Sequence, residues 1–303
     1  MKYVITGSAG HISKPLTEKL LSQKHDVTVI SRNAANISEL VAKGAKAAIG
    51  SVEDVDFLTK TFSGADAVYT MVPPNMAATN WKEFIAQTGK NYAQAIKASG
   101  VKHVVNLSSV GADLPEGCGP VTGLHQAENA LNELADVNVK HLRPAFFYVN
   151  LLSNVDMIKN IGIMGANLGG DSLKLVLASP DDIAEIAAQE LTQLNFSGHS
   201  IRYIASDERT SDDIAKVFGN AIGKPDLKWV VFSDADALKG MLGAGLPEEI
   251  AKNYAEMNHC MQSGKMAADY WKNRPATLGK TKLEDFAKQF AAVYNSEKAF
   301  AGH

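Results

Sequence analysis

Two glycines three positions apart, Gly7 and Gly10, lie in the N-terminal run Tyr3-Val4-Ile5-Thr6-Gly7-Ser8-Ala9-Gly10-His11-Ile12-Ser13. An apolar strand runs into a glycine turn, and a helix with Pro15 in its first turn follows. The chemistry open to such a junction is anion binding, because the unpaired N–H groups of a first helical turn stand in front of the positive end of the helix dipole and suit a pyrophosphate. Gly7 permits the tight turn, and Gly10 omits the Cβ that would hold the phosphates off. Ser13 stands where the third glycine of a dinucleotide fingerprint would be. A second combination able to do chemistry is His125 and Glu128, three apart on one helical face, where the carboxylate would orient the imidazole and raise its pKa toward a proton donor near neutral pH. A helix whose Glu favours the dipole and whose His simply packs accounts for the same spacing.

These residues need elements to hold them. Asp26 to Ser31 reads as a second strand ending at Arg32, where a dinucleotide fold presents a carboxylate to ribose hydroxyls or an Arg to a 2′-phosphate. The missing carboxylate favours NADP(H), with NAD(H) as the alternative. A helix over about 37–43 stops at Gly44, and a strand over 45–49 follows. Ser51, with Asp54 three positions on, predicts the N-cap of the next helix. A fourth strand over 65–72 closes at Pro73-Pro74, so its last residues, Thr70, Met71 and Val72, are placed to touch a ligand beyond the carboxyl ends of parallel strands. A long helix over about 80–99 stops at Gly100, and Val101 to Leu107 is the fifth strand.

Another helix begins at Leu124, and Lys140 to Tyr148 reads as a sixth strand and its exit loop. Asp181-Asp182-Ile183-Ala184 opens a helix, and Ser200 to Ala205 is one further strand. From Thr210 onward the pattern is mostly helical, with a β-rich interruption at Lys228 to Phe232 and a last helix opened by the capping box Thr281-Lys282-Leu283-Glu284. The sum is an α/β, Rossmann-like, doubly wound parallel sheet with a smaller, mostly helical C-terminal lobe. Residues 1–150 form the dinucleotide-binding domain, to which 180–206 return, and 151–179 with 207–303 form the lobe.

Composition narrows the partners. Of 303 residues 46% are hydrophobic and 21% charged, enough for a full core. Thirty Lys and Arg against 33 Asp and Glu leave a formal charge of −3, with no basic field for a nucleic acid. A small molecule is the expected partner. Cys118 and Cys260 are the two cysteines; they make neither a disulfide scaffold nor a metal-ligand spacing, and Cys118 reads as an ordinary residue. With no run approaching the ~20 apolar residues of a membrane span and no leader pattern, a cytoplasmic location is expected. No feature of the sequence fixes the oligomeric state.

The order Thr6-Gly7-Ser8-Ala9-Gly10-His11-Ile12, Ser31-Arg32, Asn106-Leu107-Ser108-Ser109 and Leu142-Arg143-Pro144 with Phe147 and Asn150 resembles the NmrA-like branch of the atypical short-chain dehydrogenase/reductases, as does Gly119 to Glu128. The resemblance implies a Rossmann domain for NADP(H) or NAD(H) and a C-terminal lobe that shapes a substrate cleft. By position, Gly7, Ala9, Gly10, His11 and Ile12 would meet the pyrophosphate and Arg32 the adenosine phosphate. Thr70, Met71 and Val72 would line the ribose side, and Ser108, Pro144, Phe146 and Phe147 would approach the nicotinamide. Ser51 stands where many relatives carry an acid near the adenine.

Ordinary short-chain dehydrogenases carry a Tyr four residues before a Lys, so that the ammonium lowers the phenol's pKa. The helix after Ser108 has no such pair, and Tyr294 with Lys298, near the C-terminus, is a coincidence of spacing. His125 and Glu128 occupy the region instead. The implied function is an NADPH-dependent reductase of a small electrophile, a quinone or conjugated aromatic, by direct hydride transfer, with Phe146, Phe147, Tyr148 and Met164 as an apolar slot. The alternative is a non-catalytic NADP(H)-sensing protein; a sugar-nucleotide epimerase would require the missing Tyr/Lys pair.

Overall fold

In the computed structural model residues 1–296 are described; Lys298 lies outside them. Six strands alternate with helices in the first half of the chain. They are β1 (Lys2–Ile5), β2 (Asp26–Ser31), β3 (Lys46–Ile49), β4 (Ala67–Thr70), β5 (His103–Leu107) and β6 (Asn138–Pro144). The helices between them are α1 (Ser13–Ser22), α2 (Ser38–Ala42), α3 (Val55–Phe62), α4 (Trp81–Ser99) and α5 (Pro120–Asn132). The second half carries β7 (Phe146–Phe147), α6 (Val155–Ile161), β8 (Met164–Ala166), β9 (Leu175–Ala178), α7 (Pro180–Gln193), β10 (His199–Ile204), β11 (Asp207–Arg209) and α8 (Ser211–Ala221). After these come β12 (Trp229–Val231), α9 (Asp234–Gly243), α10 (Glu248–Gln262), α11 (Ala268–Lys272) and α12 (Leu283–Asn295).

Seven strands make one sheet in the order β10-β6-β5-β4-β1-β2-β3, every neighbouring pair parallel. The order reverses between β1 and β4, which puts a crevice at their carboxyl ends, beside the Gly7 turn. Both faces are buried, and alternate residues of one strand enter different cores. Tyr3 and Ile5 of β1 pack with Leu16 and Leu20 of α1 and Ile183 and Ala187 of α7, whereas Val4 packs with Leu58 and Phe62 of α3 and Tyr92 and Ile96 of α4. A further core, the lobe core, gathers residues of 148–177 with α8 and α12, and in it Phe218 of α8 stacks on Phe290 of α12 with ring centroids 4.1 Å apart, whereas Ile250, Cys260 and Tyr270 of α10 and α11 join other clusters.

Several boundaries differ from the sequence reading for local reasons. Asp54, not Ser51, caps α3: its side chain accepts from the Phe57 N–H at 3.0 Å, while Ser51 Oγ accepts from Glu53. Helix α5 begins at Pro120, ahead of Leu124, because Gly119 turns the chain at φ +56° and proline suits the first helical position. Phe146 and Phe147 do not lie in an exit loop; they pair with β9 in a second sheet of order β11-β9-β7. Thr281 does not cap α12. Its N–H and hydroxyl both bond the carboxylate of Asp182, which also accepts from Ser206 Oγ at 2.6 Å and from the Lys280 N–H. Asp182, buried at the start of α7, therefore clasps the chain entering α12 to the Rossmann half.

Candidate nucleotide-binding site

At the end of β1 the chain turns through Gly7 at φ +91° and Ser8 at φ 55°. A side chain at Gly7 would be strained by that φ, and its Cβ would fall 2.8 Å from Met71 and against the hydroxyl of Ser13. Gly10 differs. Its φ is ordinary, and a Cβ there would have the Gly7 carbonyl, at 3.2 Å, as its one neighbour within 4 Å, so the space in front of it is open. Among the described residues no backbone carbonyl takes the N–H of His11 or Ile12, and both precede α1 with its dipole behind them. Gly7, Ala9, Gly10, His11 and Ile12 thus form one exposed or half-exposed turn, except that the Ile12 side chain is buried.

Ser13 has a different task from the glycine it replaces: its hydroxyl donates to the Thr6 carbonyl at 2.8 Å and fastens the helix start to the strand end. Ser8 ties the turn to β2, its N–H bonding the Ile30 carbonyl at 3.2 Å and its hydroxyl that of Ser31 at 2.9 Å. Arg32 follows directly. It is exposed and pairs with no other described residue, so its guanidinium stands uncommitted at the strand tip beside the glycine turn.

The ends of β4 and β5 are less uniform. Thr70 does not face a ligand: it is fully buried, and its hydroxyl donates to Asn106 Oδ1 at 2.9 Å. That bond starts a buried polar chain in which Asn106 Nδ2 meets His141 Nδ1 at 3.1 Å and His141 Nε2 meets Asn132 Oδ1 at 2.9 Å. Burial lowers the His141 pKa to about 4, so the ring is neutral. Met71 lies against Gly7, and Val72 packs in a separate cluster with Trp81 and Ile250. Ser108 is buried with a hydroxyl that has no hydrogen-bond partner among the described residues. Such an orphan is costly unless a ligand completes it.

Pro144 closes β6, its carbonyl taking the Val110 N–H at 3.0 Å. The two phenylalanines that follow point to opposite sides. Phe146 packs on the lobe core and Phe147 on the sheet core, among whose other half-buried neighbours are Ala9, Met71, Met257 and Met261. Tyr148 and Met164 do not line an open slot; both are fully buried in the lobe, and the Tyr148 hydroxyl donates to the Thr281 carbonyl. The methionines of α10 escaped the sequence reading because helical spacing of apolar residues signals a buried face without saying what it covers.

His125 and Glu128 are not a pair. Glu128 is buried and binds Arg143 through both oxygens, at 3.0 Å to Nε and 2.6 Å to Nη2, because a carboxylate at that depth needs a cation and β6 supplies one. Arg143 reaches on to Tyr203, whose hydroxyl donates to Asp269 of α11. His125 instead bonds the Ala112 carbonyl through Nδ1 at 2.8 Å, and its Nε2 accepts from Asn129 Nδ2 at 3.0 Å. With the amide oriented this way Nδ1 carries the proton, and the ring has none free to give. Asn129, four residues on, was not singled out in the sequence although the i, i+4 spacing was there to read.

Residues 7–150 match the family model described as NAD(P)H-binding. The chain is 25% identical over 299 residues, 97% of its length and 99% of the relative's, to an NAD(P)H azoreductase of Xenophilus azovorans. In fold it is similar to a nucleoside-diphosphate-sugar epimerase from Staphylococcus aureus, with a TM-score of 0.79 at 16% identity over 95% of this chain and 100% of that one. It is also similar to an NADPH-dependent quinone oxidoreductase from Escherichia coli, with a TM-score of 0.76 at 21% identity over 95% of this chain and 98% of the other. Among the described residues no helix is long and apolar enough to cross a membrane. Residues 7–150 are an NAD(P)H-binding domain, and the whole chain shares the fold of these reductase and epimerase structures.

Proposed function

We propose that the protein is an NADPH-dependent reductase of a small conjugated electrophile such as a quinone. The observation that carries the reading is the pairing of an uncommitted phosphate cradle with a helix α5 whose imidazole is already engaged on both nitrogens. The residues fit the dinucleotide: the N–H groups of His11 and Ile12 with the open face of Gly10 would take the pyrophosphate, Arg32 the 2′-phosphate, and the orphan hydroxyl of Ser108 the nicotinamide side. Bound there, the nucleotide supplies a hydride. The chain's own part is to orient the acceptor, with Phe147 and Met71 as apolar surface. A quinone reduced in this way leaves a delocalised anion that solvent protonates, so no acid on α5 is required. The names of the azoreductase and quinone oxidoreductase relatives support this class of acceptor.

The second reading, a protein that binds NADP(H) without turning it over, is favoured by the same engaged imidazole. A spectrophotometric screen of NADPH and NADH oxidation against quinones, azo dyes and enals separates the two. Turnover with a quinone supports the reductase; tight NADPH binding with no oxidation by any acceptor assigns the sensor.

A further inference from the structure

Helix α10 presses on the loop that leads into α5 at close range. A Cβ on Gly119 would fall 2.2 Å from the Asn253 carbonyl oxygen and 3.1 Å from Met257 Cβ. Asn253, Met257 and Cys260 recur at helical spacing along α10, so one face of the helix meets this loop. Cys118 is the residue before Gly119. It is fully buried, lies in the same core cluster as Cys260, and touches the place where Met266 packs over Gly111. The Met266 N–H in turn bonds the Cys260 carbonyl at 3.3 Å. The two cysteines of the chain, far apart in sequence, thereby share one neighbourhood around Met266, where α10 meets the loop before α5.

We propose that Cys118 and Cys260 are a reversible dithiol–disulfide site whose oxidation fastens α10 to the entrance of α5. The inference goes beyond the reductase reading and does not rest on it. Within the pair the roles are unequal. Cys118 is fully enclosed, whereas Cys260 keeps a small exposed edge. Cys260 is therefore the sulfur an oxidant meets first. With a hydroperoxide as oxidant, its thiolate attacks one peroxide oxygen, the O–O bond breaks, and Cys260 becomes a sulfenic acid as the other oxygen leaves as water or alcohol. Cys118 then attacks that sulfur, the S–O bond breaks, and the oxygen leaves as a second water carrying the thiol proton. Two electrons pass from the sulfurs to the peroxide, and a thiol reductant reverses the process.

The test is oxidation of the reduced, folded protein with hydrogen peroxide, or with diamide as a non-peroxide control, followed by intact mass and peptide mapping without reductant. The expected result is loss of two hydrogens from the monomer, a peptide pair joined through Cys118 and Cys260, loss of both free thiols, and an upward shift of the urea midpoint that dithiothreitol abolishes. Cys118→Ser should leave Cys260 trapped as a dimedone adduct, whereas Cys260→Ser should leave Cys118 unmodified in the native protein. Disulfides formed only between molecules, or two thiols that alkylate to the same extent before and after oxidation, would overturn the proposal. Because wild-type mapping decides the matter alone, poor folding of a serine variant does not rescue it.

Discussion

Arg32 and Gly10 carry the sharpest tests of the nucleotide site. The guanidinium has no partner among the described residues, so Arg32→Ala removes nothing from the fold. It should weaken NADPH by roughly ten- to a hundredfold, the equivalent of a charge-assisted hydrogen bond of about 1.5–3 kcal/mol, and leave NADH unchanged. Titration of both nucleotides checks this, and equal weakening of the two would remove the 2′-phosphate from Arg32. The glycines should part company. Gly10→Val puts its methyl groups into the open space where the pyrophosphate is assigned, so a folded variant should lose nucleotide binding. Gly7→Ala meets Ser13 and Met71 at a positive φ and should instead lower thermal stability. These two positions were legible in the sequence because the turn is local. The role of Ser13 was not, since the group that its hydroxyl binds, the Thr6 carbonyl, is set by how the helix returns along the strand.

Elements were legible where a single pattern decided them and misplaced where two patterns overlapped. Alternate residues of β1 enter two cores, and the apolar run announced a strand buried on both faces. Ser51 and Asp54 both suit an N-cap, and composition alone cannot choose between such neighbours. Thr281 is diverted by Asp182, 99 residues away in sequence, a contact that leaves no local trace. The pairing of Glu128 with Arg143 was hidden for the same reason, and it yields an element-scale prediction. Both side chains are almost fully buried, so Glu128→Ala strips Arg143 of its two-pronged partner and leaves it Asp113 and Asp269 at 3.9 and 4.0 Å; the change should cost about 3 kcal/mol in urea unfolding, the lower end for breaking a buried pair. His141 gives the corresponding pH dependence. Its folded pKa of about 4 lies below the ordinary 6.5, so the unfolded chain binds the proton more readily. Stability from this residue is whole above pH 6.5 and should fall by roughly 3 kcal/mol as pH drops toward 4. In His141→Gln that part of the pH–stability slope should vanish; an unchanged slope would place the acid sensitivity elsewhere.

At the scale of the molecule, the two halves are joined at separate places. Asp182 clasps the segment before α12, Arg143 reaches α11 through Tyr203 and Asp269, and α10 lies on Gly119. The chemistry proposed for this fold turns on what α5 can donate. An unactivated ketone needs a positioned acid, typically worth about 10²–10⁴ in rate, whereas a quinone needs little beyond hydride proximity. His125, bound to Ala112 and Asn129, offers no free proton, so quinones should outperform simple ketones by at least that margin in NADPH oxidation. His125→Ala should then lower quinone turnover by less than about tenfold, well below what a lost acid costs. Glu128 is excluded from this test because its loss acts through Arg143 on stability; Asn129→Ala frees Nε2 of His125 and is the better companion. The measurement is kcat over pH 5 to 9 for the wild type and both variants. A pH-dependent step that disappears with His125, together with a hundredfold or greater loss, would show that the imidazole delivers the proton and that its bond to Asn129 opens during turnover.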